Sequence, residues 1–200
     1  SLVGLCSLSS AQADVLLEDG FELRSFSAWS GNAISLGETA SVVSGTRYPG
    51  VYGKFFGDYS GYFMSNGQSG YEKAYVYENL SPALSEIYAQ AYFIFDENGI
   101  VDNGDRIKFI EFRSGANIVA AAGLRMQNNA LYWWMETRNG ASWVETFSQK
   151  VNSDLSRYFN VELKWKNNGM TGGGSLWVNG ALIYQIFDLD TNNFGDCSQV

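Results

Sequence analysis

From Tyr158 to Trp165 apolar and polar residues alternate. Phe159, Val161, Leu163 and Trp165 fall on one face, and Tyr158, Asn160, Glu162 and Lys164 on the other. Period two marks a strand with one buried face. Lys166–Gly174 is polar and glycine-rich and reads as a loop. Ser175–Val178 reads as a short strand. Asn179-Gly180 tolerates the positive φ of a type I′ turn, which returns the chain antiparallel as Ala181–Phe187.

The same alternation recurs upstream. Glu86–Phe95 puts Ile87, Ala89, Ala91, Phe93 and Phe95 on one face and Tyr88, Gln90, Tyr92 and Ile94 on the other. Arg106–Arg113 is apolar on both faces near its middle, as a central strand would be. Asn117–Met126 and Leu131–Arg138 are expected to pair across Gln127–Ala130. Asn139-Gly140 marks a further hairpin into Ser142–Gln149. The N-terminal half is less regular. Asp14–Leu23 reads as the first strand, Phe26–Gly37 as a loop anchored by Trp29, and Thr39–Ser44 and Val51–Phe56 as strands around the turn Gly45–Gly50. Asp58–Gly70, rich in Gly, Ser, Asn and Tyr, reads as a long loop of the kind that often carries function. Glu72–Glu78 alternates and leads into a connection at Leu80–Ser85. No stretch sustains a helical period, and there is no internal repeat or low-complexity tract. An all-β fold with little helix follows.

Composition narrows the chemistry. Two hundred residues suit one β-rich domain, and 46% hydrophobic residues can fill its core. The formal charge of −8 disfavours nucleic acid and polyanionic glycans as partners and is compatible with divalent cations or neutral glycans. It also serves plain solubility. Histidine is absent, which removes the usual zinc ligand and every Ser-His or Cys-His nucleophile pair.

Residues 1–13, SLVGLCSLSSAQA, read as an export-signal remnant: Leu2–Leu8 is a short apolar run and Ala11-Gln12-Ala13 an A-x-A cleavage site. They could instead be a retained terminal strand, or a strand donated to a neighbouring copy. The run is too short to span a membrane. A secreted or cell-surface location is therefore expected. Cys6 and Cys197 sit at opposite ends, lack metal-ligand spacing, and could pair if residues 1–13 are retained.

Two segments carry a family resemblance. The run YFNVELKWKNNGMTGGGSLWVNGALIYQI resembles the late hairpin of concanavalin A-like, or laminin G-like, jelly-roll domains. LLEDGFELRSFSAWSG resembles the opening of such domains in secreted microbial surface proteins, and AAAGLRMQNNALYWWMETRNG and YPGVYGKFF are similar to their intervening strands. The resemblance spans most of residues 14–200 and implies a two-sheet antiparallel jelly-roll sandwich. It further implies one more strand near Val200, absent or supplied by another chain. It does not fix an activity, because this fold hosts lectins, adhesion modules, glycanases and polysaccharide lyases.

Four candidate sites emerge. Asp96, Asn98, Asp102, Asn103 and Asp105 crowd hard oxygens into one turn, which suits calcium, although the spacing lacks the calcium-hand frame and any strand-connecting turn uses the same residues. The resemblance implies a second calcium site, with Asp19 and Glu22 near the first strand joined by Asp188, Asp190 and Asp196. The third is a sugar-binding face: Tyr132, Trp134, Glu136 and Arg138 share one side of Leu131–Arg138, with Tyr88, Gln90 and Tyr92 as expected neighbours. Aromatic rings stack on sugars while charged groups hold hydroxyls; cross-strand packing is the plainer explanation. The fourth is catalysis. Glycanases of this fold carry alternating carboxylates on one strand, whereas Glu111, Glu136 and Glu162 each stand alone on theirs. The expectation is a non-catalytic exported module that binds carbohydrate or another surface ligand. The alternatives are a subunit of an extracellular filament or surface layer that self-assembles by strand exchange, and, third, a lyase or glycanase.

Overall fold

The computed structural model describes residues 15–35, 37–44, 57–65, 72–95, 100–147, 149–151 and 158–200. Within them the chain is all-β. The strands are β1 (Gly31–Ile34), β2 (Thr39–Ser44), β3 (Tyr59–Met64), β4 (Ala74–Tyr77), β5 (Asn79–Leu84), β6 (Glu86–Phe93) and β7 (Arg106–Ser114). They continue as β8 (Asn117–Gln127), β9 (Ala130–Asn139), β10 (Ser142–Thr146), β11 (Phe159–Lys166), β12 (Gly172–Val178), β13 (Ala181–Leu189) and β14 (Cys197–Gln199). Two sheets dominate: a large one in the order β10-β9-β8-β7-β14-β5 and a small one in the order β13-β12-β11-β6. The pairings in both are antiparallel. β1 pairs with β4, and β2 with β3, as separate two-stranded ribbons.

One core lies between the two large faces. The small sheet contributes Ile87, Phe159, Val161, Leu163, Trp165, Leu176 and Val178. The large sheet contributes Ile110, Phe112, Ala120, Ala122, Leu124, Trp133 and Met135. At one end the rings of Phe93, Phe109, Trp133 and Phe159 interlock, with Phe93–Phe109 centroids 4.8 Å apart and Trp133–Phe159 centroids 5.4 Å apart. Each fully buried side chain of this size stabilises the fold by about 1.5–3 kcal/mol, and the cluster draws on both sheets.

The alternating segments became strands where the pattern predicts. Both central residues of two hairpins take positive φ, Asn128 (49°) and Asn129 (58°), then Asn179 (51°) and Gly180 (75°), as type I′ turns require. The β9–β10 hairpin turns on Gly140-Ala141, one residue later than Asn139-Gly140 suggests.

Five expectations are corrected. Residues 15–30 contain no strand, because the Asp19 carboxylate accepts the Phe21 N–H (2.7 Å) and the Phe21 carbonyl accepts the Arg24 N–H (2.9 Å). This local capping competes with a ladder and holds Phe21 and Arg24 at φ of 61° and 60°. Loops expected at Phe26–Gly37 and Asp58–Gly70 contain β1 and β3. The connection at Leu80–Ser85 is β5, an edge strand that can accommodate Pro82 with its missing N–H. The glycine triplet Gly172–Gly174 lies buried inside β12 rather than in a loop. A Cβ on Gly173 would come 2.0 Å from the Ile186 carbonyl oxygen, so these glycines permit close backbone approach.

β14 fits between β7 and β5, where Cys197 is fully buried. Its thiol donates to the Gln199 carbonyl (3.3 Å), and burial pushes it up to about 11. Its expected partner Cys6 lies outside the described residues, as do the rest of residues 1–14, Val51–Phe56 and Asp96. No helix among the described residues is long and apolar enough to cross a membrane.

Candidate functional site

Strand register turns the outer face of the large sheet into a grid. Arg106 pairs with Arg125, which pairs with Tyr132. One step along, Lys108, Gly123 and Trp134 line up, and next come Glu111, Ala121, Glu136 and Glu145. Directly paired residues share a face, so a row of carboxylates lies beside a row of cations. Lys108 binds Glu111 (2.7 Å) and reaches Glu136 (3.6 Å). Arg106 bridges Glu136 (3.3 Å) and Glu145 (3.0 Å), Arg125 binds Glu145 (2.5 Å), and Arg113 binds Glu111 (2.6 Å).

This net roofs Trp134. The indole is fully buried, lies 5.0 Å beneath the Arg106 guanidinium, and donates its Nε1–H to Glu145. Tyr132, Trp134, Glu136 and Arg138 thus do share a face, but Trp134 offers no open ring for a sugar. Arg138 is occupied as well. It stacks on Trp143 (3.7 Å) and Phe194 (4.8 Å) and donates to the carbonyls of Ile118 and Ala141.

The Glu136 carboxyl is held above its ordinary value of 4.5. Desolvation is the largest cause; Lys108 and Arg106 oppose it, and Glu145, directly opposite, adds to it. A carboxyl raised in the folded state keeps its proton where the unfolded chain has already lost it. Its contribution to stability therefore falls as pH rises from the unfolded value through the raised one. Glu136→Gln removes that slope. The melting temperature of the variant relative to wild type should rise as the pH is raised from the ordinary carboxyl value of 4.5 upward. A difference independent of pH would contradict the assignment.

Tyr92 does not belong to this grid. β6 pairs with β11, so Tyr88, Gln90 and Tyr92 lie on the outer face of the opposite, small sheet. The rows there are Tyr92–Asn160, then Gln90–Glu162–Trp177–Leu182, then Tyr88–Lys164–Ser175–Gln185. Tyr88 and Tyr92 are half exposed, at 51% and 47%. The Tyr88 and Trp177 rings lie 5.9 Å apart at an interplanar angle of 46°. The Tyr88 hydroxyl donates to Glu162; desolvation first, and then that bond, push its phenol up to about 12. Lys164 binds Glu86 (2.5 Å) and Lys166 reaches the same carboxylate (3.9 Å). Open aromatic faces interleaved with amide and carboxylate groups can stack on sugar rings and hold hydroxyls.

Of the acidic residues considered for calcium, Asp19, Glu22, Asp105, Asp190 and Asp196 have structural partners. Asp19 accepts from the Phe21 N–H and, at 2.7 Å, from the Trp29 indole. Glu22 accepts the backbone N–H groups of Asp58 (2.7 Å) and Tyr59 (3.1 Å). Together they tie the N-terminal turns to β3, where Phe21, Phe26, Trp29 and Phe63 form a satellite aromatic cluster. Asp105 caps its own turn by accepting the Asp102 N–H (3.0 Å). Asp190 accepts the Asn192 N–H, and Asp196 accepts from the Asn167 amide. Among the described residues no three His, Cys, Asp or Glu side chains gather where they could hold a metal ion.

No family model, curated protein or solved structure matches this chain. Two residues of the open face, Trp177 and Asn160, were not among the candidates read from the sequence. Strand parity carries a signal for both: Leu176 and Val178 point inward, so Trp177 points out, and Asn160 shares the polar side of its strand with Glu162 and Lys164.

Proposed function

We propose that this chain is an exported, non-catalytic module that binds carbohydrate at a cell surface, on a jelly-roll sandwich of the concanavalin A-like class. Its binding surface is the outer face of the small sheet. The observation that carries this reading is the pair of half-exposed tyrosines, Tyr88 and Tyr92, beside Trp177, with Gln90 and Glu162 between them. Flat rings on a rigid sheet give stacking area at small entropic cost, and the polar groups between them orient hydroxyls. Export rests on the apolar run and A-x-A site of residues 2–13. A non-catalytic role is supported by the state of the carboxylate row on the large sheet, where Glu111, Glu136 and Glu145 are each held by arginine or lysine.

The test is affinity electrophoresis through gels containing neutral polysaccharides. Tyr92→Ala and Trp177→Ala should each weaken retention about tenfold or more, the effect of removing an aromatic anchor. Unchanged retention in both variants would refute the surface.

A further inference from the structure

Asn160 stands out on the outer side of the small sheet. It is 6% exposed, and both its side-chain atoms, Oδ1 and Nδ2, are buried without a hydrogen-bond partner. Buried amides are nearly always paired, and an orphan destabilises the fold that keeps it. The backbone around it is fixed. Its N–H donates to Asn179 Oδ1 (2.8 Å), and its carbonyl accepts the Asn179 N–H (3.0 Å). The turn that closes β12 onto β13 thus locks the strand start, and the amide has no backbone freedom with which to find a partner. Its chain neighbours Phe159 and Val161 are in the core, so its side chain belongs to the outer face, directly across from Tyr92.

We infer that Asn160 and Tyr92 form a subsite for a neutral glycan, the amide reading two adjacent hydroxyls of a sugar ring stacked on Tyr92. This rests on the binding surface proposed above and names its ligand class. An amide offers one acceptor and two donors, which matches a pair of hydroxyls that both donate and accept. The charges of the face argue for a neutral ligand. Glu86 and Glu162 balance Lys164 and Lys166, and both lysines are already drawn to Glu86. Among the described residues of this face, an anionic sugar would meet Glu162 without a spare cation. The strand geometry sets the length. Tyr92 and Tyr88 are four residues apart on β6, roughly 13 Å along an extended strand, the reach of a short oligosaccharide rather than a single ring. Because the amide is buried, binding requires the side chains that cover it to move aside.

The test uses the whole chain with Asn160→Leu and Tyr92→Ala, on immobilised β-glucan, mannan and xylan, with polygalacturonate as the anionic control. Wild type should be retained by a neutral polymer and not by polygalacturonate. Asn160→Leu removes an unpaired amide at similar volume, so it should melt at or above the wild-type temperature and still lose about tenfold or more in affinity. Full binding by Asn160→Leu, with binding lost in Tyr92→Ala, would overturn the subsite and leave the surface standing. Retention of wild type on polygalacturonate alone would overturn the ligand class. Retention on none of the four polymers would overturn the surface itself. A second measurement does not depend on the variant folding: the side-chain amide resonances of Asn160 in labelled wild type, titrated with a soluble oligosaccharide of the retained polymer. They should shift at saturation; unmoved resonances would overturn the subsite.

Discussion

Trp134→Ala is expected to lower the unfolding free energy by about 3–5 kcal/mol, measured by denaturant titration, and to leave glycan affinity unchanged in the folded fraction. Trp134 is fully buried although it sits on the outer side of its sheet. Gly123 and Ala121 beside it are small, so the indole fills the space under the long side chains of Arg106, Arg125 and Glu145. Truncation removes that filling, the stack with Arg106 and the bond to Glu145 at once. It also leaves two arginines and a carboxylate to repack over a hole. A loss under about 1 kcal/mol, accompanied by lost glycan retention, would mean that the indole is an open platform and that the large sheet carries the site.

Gly123→Ala is expected to destabilise the fold by about 3 kcal/mol or more, read as a drop in the denaturation midpoint. The added Cβ would come 1.8 Å from the Ile107 carbonyl oxygen and 3.0 Å from the Lys108 Cα. These are backbone atoms of the adjacent strand, so no side chain can swing aside. The register of β7 against β8 shifts between Lys108 and Ile110, and this irregularity brings the β7 backbone over Gly123. Gly115→Ala is the contrasting case. Nothing lies within 4 Å of its added Cβ, and only its φ of 56° opposes the change, for about 1 kcal/mol. Equal losses in the two variants would contradict the close strand approach.

The strands that pack the core were legible because their alternation is strong. Phe159, Val161, Leu163 and Trp165 face inward as period two demands, and the Asn-Gly and Asn-Asn turns lie where positive φ is tolerated. β3 and β5 were missed for the opposite reason. YSGYFM and NLSPAL have little contrast between faces, and they are strands because β2, the preceding strand, and β14, distant in the chain, supply their ladders. The DGFE opening was misread because Asp19 and Glu22 satisfy backbone N–H groups, which a periodicity argument does not weigh.

For the site, alternation grouped Tyr132, Trp134, Glu136 and Arg138 correctly. It carried no information about their cover, since Arg106, Arg125 and Glu145 reach them through pairings set by three other strands. It likewise placed Tyr88 and Tyr92 on one face without saying which sheet owned them. β6 joins β11, more than sixty residues downstream, and that pairing moved the open aromatics to the small sheet. Asn160 looked like an ordinary polar strand residue; only burial together with its unpaired amide sets it apart.

The binding surface is tested most directly by chemical-shift mapping of the labelled chain with a soluble neutral oligosaccharide. The indole signals of Trp177 and Trp134 report on opposite faces of the molecule. Binding at the small sheet predicts shifts at the Trp177 indole and along Tyr88–Tyr92 and Asn160–Lys164, with the Trp134 indole unmoved. Shifts confined to Trp134, Arg106 and Glu145, or no shifts at saturating sugar, would contradict it.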